Sequence, residues 1–412
     1  MSGDDVSAAT RQRAEDACAT MQAALAALRD SKDASCPVPT REQVAAAVQL
    51  VRTEVAKLGL VYHQAAGEAG AAPTSAPPAP TSAPPAPTSA PAAPADAEAD
   101  ALLHGLQQAA STLCMVYTGI ASSGGAGPTL RASLDQTATA VVEACVALVR
   151  GAVLGGARDS QLMMLSGFAL EMLGAAEKAP LDSRTAIGRA ITQVLKQLAD
   201  AAKELQEEVR AAAEDEEEEG EEEAVAGAAA GSDADSDAGF GMFQADAFSK
   251  GQLAVATRVH GLLTAVLDLA KTVVKLLLAE RQGLSPEAVE GWESMLYHIK
   301  GLAPVVDDLS AATYPPQDAK ELASAAEALA TSCELLTDEC PASTTGSSGS
   351  GDGSSGAHQQ AGEGGAAAAA LLAPLEAVQR AHRELAAELE AAAGGDASDS
   401  GAGAAAEGGM AQ

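Results

Sequence analysis

Two adjacent carboxylates, Asp307 and Asp308, are the first place to look for acid–base chemistry in this chain. Catalysis of that kind needs groups that converge on one reacting atom. Neighbours on a helix point about 100° apart, so the pair does not share a proton and reads as a polar helix end or an inter-helix contact. His260 and His382 come next, because imidazole is a common metal ligand. Each falls on an apolar stripe, and neither has a Cys, His, Asp or Glu three or four positions away to complete a site. The six Cys, at 18, 36, 114, 145, 333 and 340, form no Cys-x-x-Cys pair. That pattern argues against zinc and against a disulfide framework, and for a reduced intracellular compartment. Phosphate-binding glycine loops and nucleophile motifs are missing as well. The expectation is a non-enzyme with no metal and no cofactor.

Other residues suit recognition better. Positions 214 to 223 hold nine carboxylates, interrupted by Gly220. Such a tract is a self-repelling solvated linker or a docking strip for a basic surface. Ser232, followed by Asp233 and Asp235, suits an acidophilic kinase, and a phosphate there would add charge to a region already negative. Phe240, Met242, Phe243 and Phe248 form the aromatic cluster of the chain, with three of its four Phe. They read as a segment folding onto the C-terminal helices, or as a short motif for a partner groove. The stretch from Val305 to Pro316 is a corner. Pro304 should kink or restart its helix, and Pro315 turns the chain at Tyr314. Helix resumes after Pro316, which suits a first-turn position, and Tyr314 is placed to pack into the joint. Candidate contacts here are Asp307, Asp308, Leu309 and Tyr314.

The chain has 412 residues and a net charge of −32, with 2% aromatics. That charge repels phosphate backbones, which excludes sequence-specific nucleic-acid binding as the main activity. The N-terminus, Met1-Ser2-Gly3-Asp4-Asp5, is acidic, unlike a secretory or transit leader. Leu262–Leu278 comes nearest to an apolar span, but Asp268, Lys271 and Lys275 interrupt it. A soluble chain with no membrane segment is expected.

The elements that must position these residues are helices. Val44, Val48, Val51, Val55, Leu58 and Tyr62 step by 4, 3, 4, 3, 4, the period of a one-sided helix. Similar stripes run from Leu102 to Ile120, Leu130 to Leu148, Ile187 to Leu205, Leu253 to Leu277, Val289 to Ala303, Leu322 to Leu336 and Leu371 to Leu389. Thr40-Arg41-Glu42-Gln43 has capping-box spacing, and Asp159, Asp182 and Ser285 are N-cap candidates. About ten helices follow, and no period-2 segment. One-sided stripes broken by Pro and Gly pack as bundles rather than as one long coiled coil. The fold class is all-α: two antiparallel helical bundles joined by a disordered acidic linker. Composition places the N-terminal bundle at 1–210 with a Pro/Ala-rich spacer at 67–95, and the linker at 211–249. The C-terminal bundle spans 250–392 with a Gly/Ser-rich insert at 341–365, and a disordered tail fills 393–412.

The string Val-Asp-Asp-Leu-x-x-x-x-Tyr-Pro-Pro, from Val306 to Pro316, resembles the cyclin-D-binding, or cyclin-D-interacting, protein family. The order of a helical half with a Thr129-Leu130-Arg131 helix start, an acidic middle and a second helical half is similar too. The likeness extends over roughly residues 1–392, apart from the proline repeat and the Gly/Ser insert. It implies an all-helical, two-domain protein of nucleus and cytoplasm. The family is described as a helix-loop-helix regulator without a DNA-contacting basic region. It binds D-type cyclins and restrains phosphorylation of the retinoblastoma protein by cyclin-dependent kinases. No catalytic residues are implied. The chain departs from the pattern in its Ala-richness, its proline spacer and its longer insert. The leading expectation is a regulator of cell cycle or transcription that sequesters a D-type cyclin or a helix-loop-helix partner. Its alternatives are a helical scaffolding or cytoskeletal adaptor and an acidic chaperone for basic proteins.

Overall fold

The computed structural model describes residues 7–30, 38–70, 96–154, 159–226, 248–280, 284–338 and 363–399. Every regular element among them is helical. In chain order these are α1 (Ala8–Asp30), α2 (Arg41–Gly70), α3 (Asp96–Ala121), α4 (Pro128–Val149), α5 (Asp159–Glu177), α6 (Ser183–Ala226), α7 (Lys250–Ala279), α8 (Pro286–Thr313), α9 (Ala319–Asp338) and α10 (Glu363–Asp399). A π-helical turn, Arg150–Leu154, continues α4.

Helix starts follow their capping chemistry. Gln43 Oε1 accepts from Thr40 N at 2.8 Å, and Thr185 N donates to Asp182 Oδ1 at 2.8 Å. Ala288 N donates to Ser285 Oγ at 3.2 Å ahead of Pro286. Each side chain satisfies a backbone group that the first turn leaves unpaired.

The chain divides into two compact units, Met1–Ala186 and Ile187–Gln412. In the first, α3 packs on α1, α2 and α4, α5 packs on α2 and α4, and α1 returns to α4. Tyr117 is fully buried, and its hydroxyl donates to the Ala176 carbonyl at 3.2 Å. The glycine turn between α3 and α4 is closed by Ser183. Its Oγ donates to Gly125 O at 2.6 Å and accepts from Gly127 N at 2.9 Å. Among the described residues, the helix long and apolar enough to cross a membrane is Pro128–Leu154, not Leu262–Leu278. Its Leu134, Val141, Cys145 and Leu148 are buried in the first core, as a central bundle helix requires.

In the second unit, α7 and α9 each pack on α8 and α10. Arg258 of α7 pairs with Glu384 of α10 at 3.1 Å. Trp292, Met295 and Ile299 of α8 fill the centre. The α6 stripe of Ile187, Ile191, Val194, Leu198 and Leu205 belongs to this core. Packing therefore divides the chain at Ala186/Ile187, inside α6, rather than at residue 210, where the composition changes.

Cys18, Cys114, Cys145 and Cys333 are free and buried. Burial pushes the thiols of Cys145 and Cys333 up to about 12, so they act as small apolar core side chains.

Three expectations are corrected. First, α6 runs to Ala226, past the composition boundary at residue 210. Glu is a good helix former, and extending an existing helix avoids the cost of nucleation. The Lys203–Glu207 and Arg210–Glu214 pairs support the same helix, four residues apart. Second, α8 passes through Pro304 without a break. Third, α2 continues to Gly70 and α10 covers Glu363–Asp399, beyond the composition limits at both places. The remainder of the proline spacer, the Gly/Ser insert and residues 227–247 lie outside the described residues.

Candidate protein-interaction surface

The corner is built at the end of α8. Val306 and Leu309 are buried on its core face, at 1% and 0% exposure, whereas Asp307 and Asp308 are exposed. Leu309 was a candidate contact on sequence, but it is a core residue. Two positions away from each other on a helix, 307 and 309 lie on different faces, so the Asp-Asp-Leu string splits between solvent and interior.

Thr313 ends α8 fully buried, and its Oγ1 donates to Leu309 O at 2.7 Å. Tyr314 then turns the chain out of the helix, with φ −74° and ψ 150°, as a residue before proline should. The Pro315–Pro316 bond is cis. Helix resumes at Ala319 and not directly after Pro316, because Asp318 is the cap. Its Oδ1 accepts from Lys320 N at 2.7 Å and from Glu321 N at 3.3 Å.

The corner is tied to the start of α7. Gln317 Nε2 donates to Thr313 O at 2.7 Å and to Gln252 O at 3.1 Å. Gln252 and Ser249 form a reciprocal capping box. Phe248, immediately before that box, packs its ring on Tyr314 with centroids 6.4 Å apart at 43°. The two stretches singled out in the sequence therefore meet: Phe248 supplies one ring and Tyr314 the other. Both are half-buried. Burial, and then the carboxylates of Glu204 and Glu208 on α6, hold the Tyr314 hydroxyl above its usual range. The result is a partly exposed aromatic pair beside acidic side chains. Such a pair offers apolar contact area of the kind that anchors protein interfaces. Phe240, Met242, Phe243 and Ser232 lie outside the described residues.

His260 and His382 are half-buried at bundle boundaries. Among the described residues, no three His, Cys, Asp or Glu side chains converge on a metal position.

One surface is absent from the sequence reading. The outer side of α5 exposes Met163, Met164 and Phe168. A one-sided stripe search passes over this helix, because it is apolar on both faces. Leu162, Ala169 and Leu173 face the core while the Met and Phe side chains face out. The available signal was compositional: three of the nine Met of the chain fall in α5.

Comparison with known families covers both halves. Residues 43–211 match the family model described as Grap2 and cyclin-D-interacting, N-terminal. Residues 214–338 match its companion, Grap2 and cyclin-D-interacting, C-terminal. The search of curated proteins finds no matching sequence. The matched regions contain the α8 corner, Phe248 and the whole of α5. With both of its halves matched in order, the chain belongs to the Grap2 and cyclin-D-interacting family, whose members are all-helical, non-enzymatic protein-interaction proteins.

Proposed function

We propose that the chain restrains the cell cycle or transcription by sequestering a D-type cyclin or a helix-loop-helix partner on its C-terminal unit. The observation that carries this reading is the Phe248–Tyr314 ring pair beside Glu204 and Glu208. Aromatic anchors give affinity, while surrounding carboxylates steer a basic partner patch and speed its association. The mechanism is competition: a partner face buried here is unavailable to a kinase or to a DNA-binding protein. Asp307 and Asp308, exposed on the helix that ends at the corner, add further acidic groups to α8. Residence in nucleus and cytoplasm follows from this reading, because those are the compartments of such partners.

Titration calorimetry of the full chain against a D-type cyclin tests it, at about 50 and about 200 mM salt to expose screened attraction. Saturable binding should survive both salts. Combining Phe248→Ala with Tyr314→Ala should weaken it about tenfold or more, the loss of at least one anchor. Asp307→Lys with Asp308→Lys should reduce the salt dependence. Absence of binding, or binding unchanged by the aromatic pair, would reject this site.

A further inference from the structure

Helix α5 has an outer face that stays exposed among the described residues. Met163, Met164 and Phe168 are 61%, 64% and 48% exposed. Gly167 and Gly174 lie on the same side, and a Cβ at either would meet no atom within 4 Å. Another backbone can therefore approach closely along that line. From Ser160 to Ala176 the only ionisable side chain is Glu171. It is exposed and pairs with no cation among the described residues. Its neighbours three and four positions away are Gly167, Phe168, Gly174 and Ala175, so the carboxylate stands alone within apolar surroundings. Surface helices normally turn their polar side to water, and contiguous exposed apolar patches mark interaction sites. Methionine adapts its shape to varied partner side chains.

We propose that this face docks an amphipathic helix of a partner protein, apolar where it meets Met163, Met164 and Phe168, and carrying a Lys or Arg opposite Glu171. Charge complementarity selects that occupant. A second copy of this chain is disfavoured on the same ground. Each chain carries a net charge of −32, so bringing two copies together works against like-charge repulsion, whereas a basic partner helix is attracted. The face lies on the first unit and is independent of the Phe248–Tyr314 site on the second.

The test uses the full chain and a fluorescent Leu/Lys peptide of about 18 residues, five helical turns, with Leu on one side and Lys on the other. Controls are the Leu/Glu counterpart and a scrambled Leu/Lys peptide of equal composition. Fluorescence anisotropy at physiological salt should show saturable binding of the amphipathic Lys peptide. The two controls should bind at least about tenfold more weakly. Met164→Ser with Phe168→Ser should weaken the Lys peptide by a similar factor, and Glu171→Lys should reverse the preference between Lys and Glu peptides. Circular dichroism should show both variants folded, because the altered side chains are on the surface. Phe248→Ala with Tyr314→Ala should leave peptide binding unchanged, so failure here and failure of the cyclin reading are separable. Equal binding of the scrambled peptide, or indifference to the α5 variants, would move the contact to the acidic tract and overturn the proposal. Self-association of the chain abolished by Met164→Ser with Phe168→Ser would overturn it in favour of a second copy.

Discussion

Leu309 precedes Tyr314 by little more than one helical turn, yet the two have opposite surroundings. Leu309 has no solvent exposure and lies in the second core. Truncating it to Ala leaves a cavity as well as losing transfer energy, which should destabilise that unit by about 2–5 kcal/mol. Tyr314 is half-buried and held by one ring neighbour. Its truncation should cost about 1 kcal/mol, since a partly exposed ring loses less burial and a single aromatic pair contributes on that order. Urea unfolding of Leu309→Ala and Tyr314→Ala would show the difference. Equal losses would place Tyr314 in the core and weaken its candidacy as a contact. The same contrast explains which part of the site was legible. Pro315 dictates an extended Tyr314 wherever it occurs, so the turn could be read locally. The pairing with Phe248 depends on bringing the start of α7 to the end of α8, and no local rule encodes that.

Helices as elements were the most legible level. One-sided periodicity located α2, α3, α4, the body of α6, α7, α8, α9 and α10, and the Thr40, Asp182 and Ser285 caps form the bonds their residue types require. Three stretches escaped. The first turns of α1 bury small residues, Ala14, Ala17 and Cys18, which leave no stripe of large side chains there. The two-faced apolar pattern of α5 has no single stripe to find. The acidic end of α6 lacks large apolar side chains, so composition assigns it to the linker. In the chain, that end extends a helix already held by its Ile187–Leu205 stripe. Repulsion still acts there. The tract holds five pairs of carboxylates four apart, Glu214/Glu218, Asp215/Glu219, Glu217/Glu221, Glu218/Glu222 and Glu219/Glu223, and like charges at that spacing oppose a helix by about 0.2–0.5 kcal/mol per pair. Salt should screen them. Far-ultraviolet circular dichroism should show helicity rising between about 0.05 and 0.5 M salt, and the rise should vanish in a chain lacking residues 214–223. An equal rise without those residues would assign it elsewhere.

At the scale of the whole molecule, two divisions compete. The family models change over between residues 211 and 214, close to the break in composition, whereas packing divides the chain at Ala186/Ile187. The difference is the body of α6. Its Ile187, Ile191, Val194, Leu198 and Leu205 are at most 6% exposed and belong to the second core. Burying a side chain of this size contributes about 1.5–3 kcal/mol. Five of them together contribute on the order of 10 kcal/mol, comparable with the whole stability of a typical domain. A fragment of residues 187–412 should therefore unfold cooperatively in urea. A fragment of residues 212–412, cut at the sequence boundary, should lack a sharp transition and bind an apolar dye through the surface that α6 vacates. If the shorter fragment instead unfolds as sharply and at the same urea midpoint, α6 is dispensable to the second core. The sequence boundary would then be the physical one. If the prediction holds, α6 joins the two halves as more than a spacer. It starts beside the glycine turn of the first unit, through Ser183, and supplies its buried Ile187–Leu205 stripe to the second core.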